Sequence, residues 1–243
     1  MLGLGVGFYK LSGNDYPHGR WTPKEIPSLI HWYSKGIGQT SREGDENVNC
    51  QVWRDQKGSN HLQADASDDA IAPTLNEDGT ITFDAAGDIM QFDSAIGLGT
   101  FSVYVRLSYS DAISADYLFE KFNSAQDFFQ LSTEAVVKVK INNNGRHDYA
   151  IVPVFPEDGT PFNVGLERED THATTNDIVR VYHGGTSMTQ SGNGDGLEPI
   201  TELFEIGSIG KPAQTSTWHE IVICSDALST ADRVLLNTYL DSI

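Results

Sequence analysis

Trp218-His219-Glu220-Ile221-Val222-Ile223-Cys224, followed by Ser225-Asp226-Ala227-Leu228 and then Ser229 to Leu240, is the stretch that decides the fold. Its first part is β-branched and aromatic, with a Ser/Thr-rich run before it and Ser-Asp after it, which predicts a buried strand. The second part predicts a short helix. Ser229 is a good N-cap, and Asp232 supplies a variant of the capping box with the shorter acid, its charge favoured in the first turn. Val234, Leu235, Leu236, Tyr239 and Leu240 then form a broad apolar stripe at helical spacing.

Upstream the pattern is β. Phe101, Val103, Val105 and Leu107 alternate with Ser102, Tyr104 and Arg106, which predicts a half-buried strand. Val137, Val139 and Ile141 alternate with Lys138 and Lys140 and run into Asn143-Asn144-Gly145, a hairpin signal. Further strands are expected at Leu29–Tyr33, at Val48–Trp53, after the Asp78-Gly79 turn at Thr80–Asp84, and at Leu203–Ser208, with an antiparallel pair at Phe162–Glu167 and Ile178–Tyr182. Residues 1–27 read differently. Gly3, Gly5, Gly7, Gly13, Gly19, Pro17, Pro23 and Pro27 leave no room for a long helix or central strand. Their apolar and aromatic residues, among them Leu2, Leu4, Val6, Phe8, Tyr9 and Trp21, are too many for a solvated linker, so this segment is expected to be an arm lying along a surface.

Charge narrows the partners. With 16 Lys+Arg against 34 Asp+Glu the formal net charge is -18, which repels phosphate backbones and anionic bilayers; neither nucleic acid nor membrane is an expected partner. No run approaches the roughly 18 apolar residues of a membrane span, and no signal peptide is read at the start, where Lys10 interrupts the apolar residues. Cys50 and Cys224 leave two readings open: a disulfide, or buried free thiols, the commoner state of strand-borne cysteines in a reducing cytosol.

Several elements together resemble the laminin-G-like jelly rolls of the concanavalin A-like lectin/glucanase group. These are Trp53, Asp55, Gly58, Asn60 and His61 as Trp-x-Asp-x-x-Gly-x-x-His/Asn, the Asp84–Phe92 bend, Val181-Tyr182-His183-Gly184-Gly185, Leu203–Ser208, and the closing strand, Leu228-Ser229 and Tyr239-Leu240 cadence. The resemblance covers about 29–243. It implies an all-β antiparallel β-sandwich jelly roll over 28–243, with a short C-terminal helix and an extended N-terminal arm over 1–27. The Leu-Gly-Leu-Gly start and the lead-in of Thr22, Pro23, Ile26, Leu29, Trp32 and Tyr33 are similar to structural proteins of marine tailed phages, especially cyanophages. That likeness implies a non-enzymatic virion component, most simply a capsid decoration, made in the host cytoplasm and able to form homo-oligomers. Its arm would dock on other virion proteins of capsid or tail through Leu2, Leu4, Val6, Phe8, Tyr9 and Trp21. The alternative is a carbohydrate-binding adsorption module for host surface glycan, with Trp53 and Tyr182 (and Trp32) as stacking rings, although Trp on strands is usually core.

Catalytic patterns are missing from the sequence. Retaining glucanases need two carboxylates about 5 Å apart on one strand face, and neither Glu43-Gly44-Asp45 nor Glu167-Arg168-Glu169-Asp170 has the correctly spaced third acid. No Gly-x-Ser-x-Gly elbow occurs, Cys224 sits in an apolar strand, and Gly3-x-Gly5-x-Gly7 lacks the strand and helix of a phosphate loop. The seven histidines form no zinc spacing. Ser191 to Glu202 imitates an EF-hand loop, with Asn193, Asp195 and Glu202 as weak calcium ligands. Ser at the first position, Pro199 at the ninth and the lack of flanking helices favour a plain Gly-rich hairpin loop, and no cofactor is expected. Asp65, Asp68 and Asp69 read as solvated charge.

Overall fold

The structure, a computed structural model, describes residues 21–41, 49–64, 72–85, 87–113, 115–121, 124–132, 136–141, 147–150, 155–169, 179–189, 203–210 and 214–243. Leu2, Leu4, Val6, Phe8 and Tyr9 of the arm, and the calcium candidates Asn193, Asp195 and Glu202, lie outside these residues.

Among the described residues the strands form two antiparallel sheets. The smaller contains β1 (Leu29–Ser34), β5 (Thr74–Leu75), β6 (Ile81–Phe83), β8 (Phe101–Tyr109), β13 (Phe162–Arg168), β14 (Val179–His183), β15 (Thr186–Ser187) and β17 (Ser216–Cys224). The larger runs in spatial order from β12 (His147–Ala150) through β11 (Val136–Lys140), β10 (Ser124–Ser132), β9 (Asp116–Lys121), β16 (Phe204–Gly210), β7 (Ile89–Leu98), β4 (Leu62–Gln63) and β3 (Cys50–Trp53) to β2 (Gln39–Ser41). The chain is thus an all-β sandwich with one short helix, α1 (Thr230–Leu240).

β17 is the hub of the smaller sheet. One side pairs with β8 along its whole length, while the other is shared end to end by β6, at Ser216–Trp218, and β1, at Glu220–Cys224. A bulge at His219 resets the side-chain alternation, because Trp218 pairs with Leu107 and Glu220 already pairs with Arg106. Trp218, Ile221 and Ile223 therefore face the core between the sheets, and Glu220, Val222 and Cys224 face the other way.

That outer face carries a second core. Ile26, Leu29, Trp32, Tyr104, Tyr182, Val222 and Leu228 meet Leu236, Tyr239 and Leu240 of α1. The cover corrects the half-buried reading of β8, which is buried at every position. Gly165 makes the close packing possible. A Cβ there would stand 2.3 Å from the Tyr104 ring, which instead stacks with Tyr182 at 6.3 Å.

α1 begins as expected, the Ser229 side chain accepting from the Asp232 backbone N–H at 3.1 Å, while its hydroxyl donates to the Asp232 carboxylate at 2.7 Å. The apolar stripe is narrower than its sequence implies. Leu236, Tyr239 and Leu240 are buried, but Val234 is 60% and Leu235 42% exposed, because Asn237 and Arg233 take the inner positions to bind polar groups of the sheet. Of the segment read as an arm, residues 21–27 are described and lie along the domain's own surface. Trp21 sits edge-on to Tyr239, Pro23–Glu25 form a 3-10 turn capped by Thr22 and Glu25, and Ile26 is buried under α1. Cys50 and Cys224 are buried free thiols in different cores.

Candidate functional site

Among the described residues, three of the places where buried polar groups gather bear on a site. The first is the turn after Trp53. Asp55 accepts from His31 Nδ1 at 2.6 Å and from the backbone N–H groups of Trp32 and Lys57 at 3.0 and 2.9 Å. Burial raises its pKa, but the hydrogen bonds from His31 and from the backbone of Gly58, Lys57 and Trp32 outweigh it and hold the carboxyl at about 2. Gly58 lies close over the pair, and His61 accepts from the Asp55 N–H at 3.2 Å. This is a knot that ties the turn to β1.

The second lies beneath α1. Glu167 accepts from Tyr104 Oη at 2.7 Å and from Arg233 Nε and Nη2 at 3.1 and 2.9 Å, with the guanidinium 4.3 Å over the Tyr182 ring. Glu220 accepts from Trp32 Nε1 and, at 2.8 Å, from Tyr239 Oη. Burial lifts the Glu220 carboxyl to about 7, against these hydrogen bonds. His219, beside the bulge, is pushed down to about 4, first by burial and then by Lys35 and Arg106. Glu167 and Glu220 fasten the helix, and both are fully buried.

The third is the outer face of the larger sheet, which no helix covers among the described residues. Register builds it. Lys140, Phe128, Glu120, Ser208, Gln91 and Gln63 stand in one cross-strand row, and Asp148, Lys138, Gln130 and Tyr117 in the next. The intervening Val137, Val139, Phe119 and Phe129 point into the core. Tyr117 and Phe128 meet edge to face with centroids 5.6 Å apart, so the half-buried Tyr117 ring is propped by a buried one. Gln130 Nε2 donates to the Ala115 carbonyl at 3.3 Å, and Lys138 Nζ to Ser132 Oγ at 2.7 Å. Glu120 and Gln130 are only 4% and 6% exposed, so these polar groups are held rather than waving in solvent. The half-buried Tyr117 ring and the half-buried Lys138 are groups of the second row that a ligand could reach, an apolar ring face beside a cationic donor.

The rings named from sequence do not supply such a platform. Trp53 is fully buried, donating to the Ser34 carbonyl at 3.0 Å; Tyr182 is 4% exposed, between Tyr104 and Arg233; Trp32 is buried against Glu220 and Tyr239. Each points into a core because its strand parity puts it there. Trp21 is half-buried against the domain itself. Among the described residues no group of three or more His, Cys, Asp or Glu is placed to hold a metal ion. Tyr117, Phe128 and Gln130 were not singled out by the sequence reading, although Tyr117-Leu118-Phe119 and Phe128-Phe129-Gln130 carry the aromatic signature of strands.

The sequence matches no protein-family profile and no curated protein. Solved structures share the fold at low identity. Trypanosoma rangeli sialidase superposes with a TM-score of 0.53 at 14% identity, covering 88% of this chain and 33% of the sialidase. A botulinum neurotoxin type C structure, whose cell entry is described as dependent on interaction with two ganglioside molecules, gives 0.56 at 11% identity, covering 88% and 51%. The binding domain of botulinum neurotoxin DC, in complex with rat synaptotagmin II, gives 0.55 at 12%, covering 88% and 52%. The chain therefore spans about a third of the sialidase and about half of each neurotoxin structure, and what it shares with them is the antiparallel β-sandwich.

Proposed function

We propose that this protein is a non-catalytic glycan-binding sandwich whose recognition surface is the outer face of the larger sheet, centred on Tyr117. The observation that carries the reading is the placement of the propped Tyr117 ring beside Gln130 and Lys138 on a sheet face that α1 leaves open, while the opposite sheet's outer face is closed by the helix. The likeness to a neurotoxin described as interacting with gangliosides supports it. Tyr117→Ala is expected to weaken binding to an immobilised oligosaccharide panel by roughly tenfold or more, the usual effect of truncating a central aromatic contact. The melting temperature should stay near the parent's. Parent-like binding by the variant would refute the placement of the site.

The setting we propose is the surface of a virion, with the segment before Trp21 as the attachment to capsid or tail. The support is the similarity of the 22–33 lead-in to phage structural proteins, together with the finding that this lead-in is a folded junction: Ile26, Leu29 and Trp32 anchor it under α1.

A further inference from the structure

We infer that the ligand of the Tyr117 face is an anionic saccharide, one bearing a carboxylate or sulfate group that is met by Lys140 and Lys138. The inference rests on the glycan-binding reading and adds the chemical class. Its basis is the state of the cations. In a chain with 34 acids against 16 Lys+Arg, several described cations are taken up by acids: Lys121 with Glu205, Arg180 with Glu169, Arg233 with Glu167 and Arg106 with Asp241. Lys138 and Lys140, like Lys24, Lys35, Arg54 and Lys57, are not, and they are the two that stand on the Tyr117 face. Among the described residues neither is in an ion pair with a carboxylate, and Lys138 Nζ instead donates to the neutral Ser132 Oγ.

Both lysines project from β11 on the same side, because Val137 and Val139 between and before them are buried in the core. Lys140 stands directly across from Phe128, and Lys138 across from Gln130, whose own neighbour on β9 is Tyr117. Two carboxylates share the face. Asp148 is opposite Lys138 on β12, and Glu120 lies beyond Phe128, almost fully buried; among the described residues the partner across from Lys140 is Phe128. Successive strands are about 4.8 Å apart, so the lysine ends reach a group roughly one sugar ring away from Tyr117. A sugar stacked on Tyr117 thus carries its acidic substituent towards β11. The overall charge of -18 sets a repulsive background for such ligands, against which two lysines side by side near an aromatic ring offer local attraction.

The test is binding to matched pairs that differ only in the acidic group: sialyl-lactose against lactose, oligogalacturonate against oligogalactose, and sulfated against desulfated galactan. The expected result is that at least one acidic member binds roughly tenfold or more tightly than its neutral partner, that Lys138→Gln/Lys140→Gln removes this preference, and that Lys138→Arg/Lys140→Arg retains it. Far-UV circular dichroism and melting confirm that the glutamine variant is folded; should it not fold, Lys140→Gln alone replaces it. Which pair responds tells carboxylate from sulfate. Equal binding of acidic and neutral members, or a preference that survives in the folded glutamine variant, overturns the anionic class while leaving the glycan site standing. Binding to no member of any pair overturns both.

Discussion

The carboxyl of Glu220 spends the folded state out of water, with Trp32 Nε1 and Tyr239 Oη donating to one of its oxygens. Its value of about 7 lies above the ordinary 4.5. A raised folded-state value means that the contribution to stability is complete below the unfolded value and is lost as pH rises through the folded one. Glu220 by itself therefore withdraws stability between pH 4.5 and somewhat above 7, by about 3 kcal/mol at most, while His219, held at about 4 in the fold, adds stability as pH rises from about 4 to 6.5, so the two oppose each other in the parent. Glu220→Gln keeps an oxygen for both donors and cannot ionise, so its melting temperature should rise relative to the parent's across that window. Melts of both proteins at half-unit pH steps check this; parallel curves would mean that Glu220 does not titrate there. Asp55 shows the opposite case. Burial alone would raise it too, but three backbone N–H groups and His31 favour the anion, so the same residue chemistry in two settings gives an acid near 7 and one near 2.

Among the elements, α1 and the 3-10 turn before β1 form one layer over the smaller sheet, and this decides where the chain can be cut. Removal of residues 1–20 should leave a domain with parent-like melting. Removal of 1–27 takes away Trp21 and the buried Ile26, worth about 1.5–3 kcal/mol for a fully buried aliphatic alone, and should lower the melting temperature measurably. Differential scanning calorimetry on the two truncations separates the cases. The closing strand, α1, β8 and the β11 alternation were legible in the sequence because period two, helical spacing and the Ser229 cap are local signals. β9 and β10 were not. Their register shifts, between Ser124 and Phe128 and between Phe129 and Gln130, break the alternation that would have announced them. The proposed site sits on those two strands, so the same bulges hide it. Trp53 is the more conspicuous ring in the sequence, and strand parity assigns it to the core. The bulge at His219 worked in the same way, turning Glu220 towards the helix when simple alternation from Trp218 would turn it inward.

At the scale of the whole molecule, α1 covers the outer face of the smaller sheet, and Trp21 packs beside it on Tyr239, while no helix among the described residues covers the larger sheet. On the reading we propose, attachment before Trp21 would be on the side of the smaller sheet and recognition at Tyr117 on the larger one. In the virion setting we propose, gold-labelled antibody on particles from the source lysate should decorate capsid or tail. Label over the capsid marks a decoration protein, label at tail tips or fibres marks an adsorption protein, and unlabelled particles with label in the soluble fraction would remove the virion from the account. The ends of the domain meet as well. Leu29 pairs with Cys224 and Ser34 with Glu220, while Trp21 touches Tyr239 of the last helix. Antiparallel partners whose outer ends lie together part rung by rung when pulled, so the sandwich, stretched between its two flanks, would peel along β1 and β17 at low force, uncovering the second core before the first.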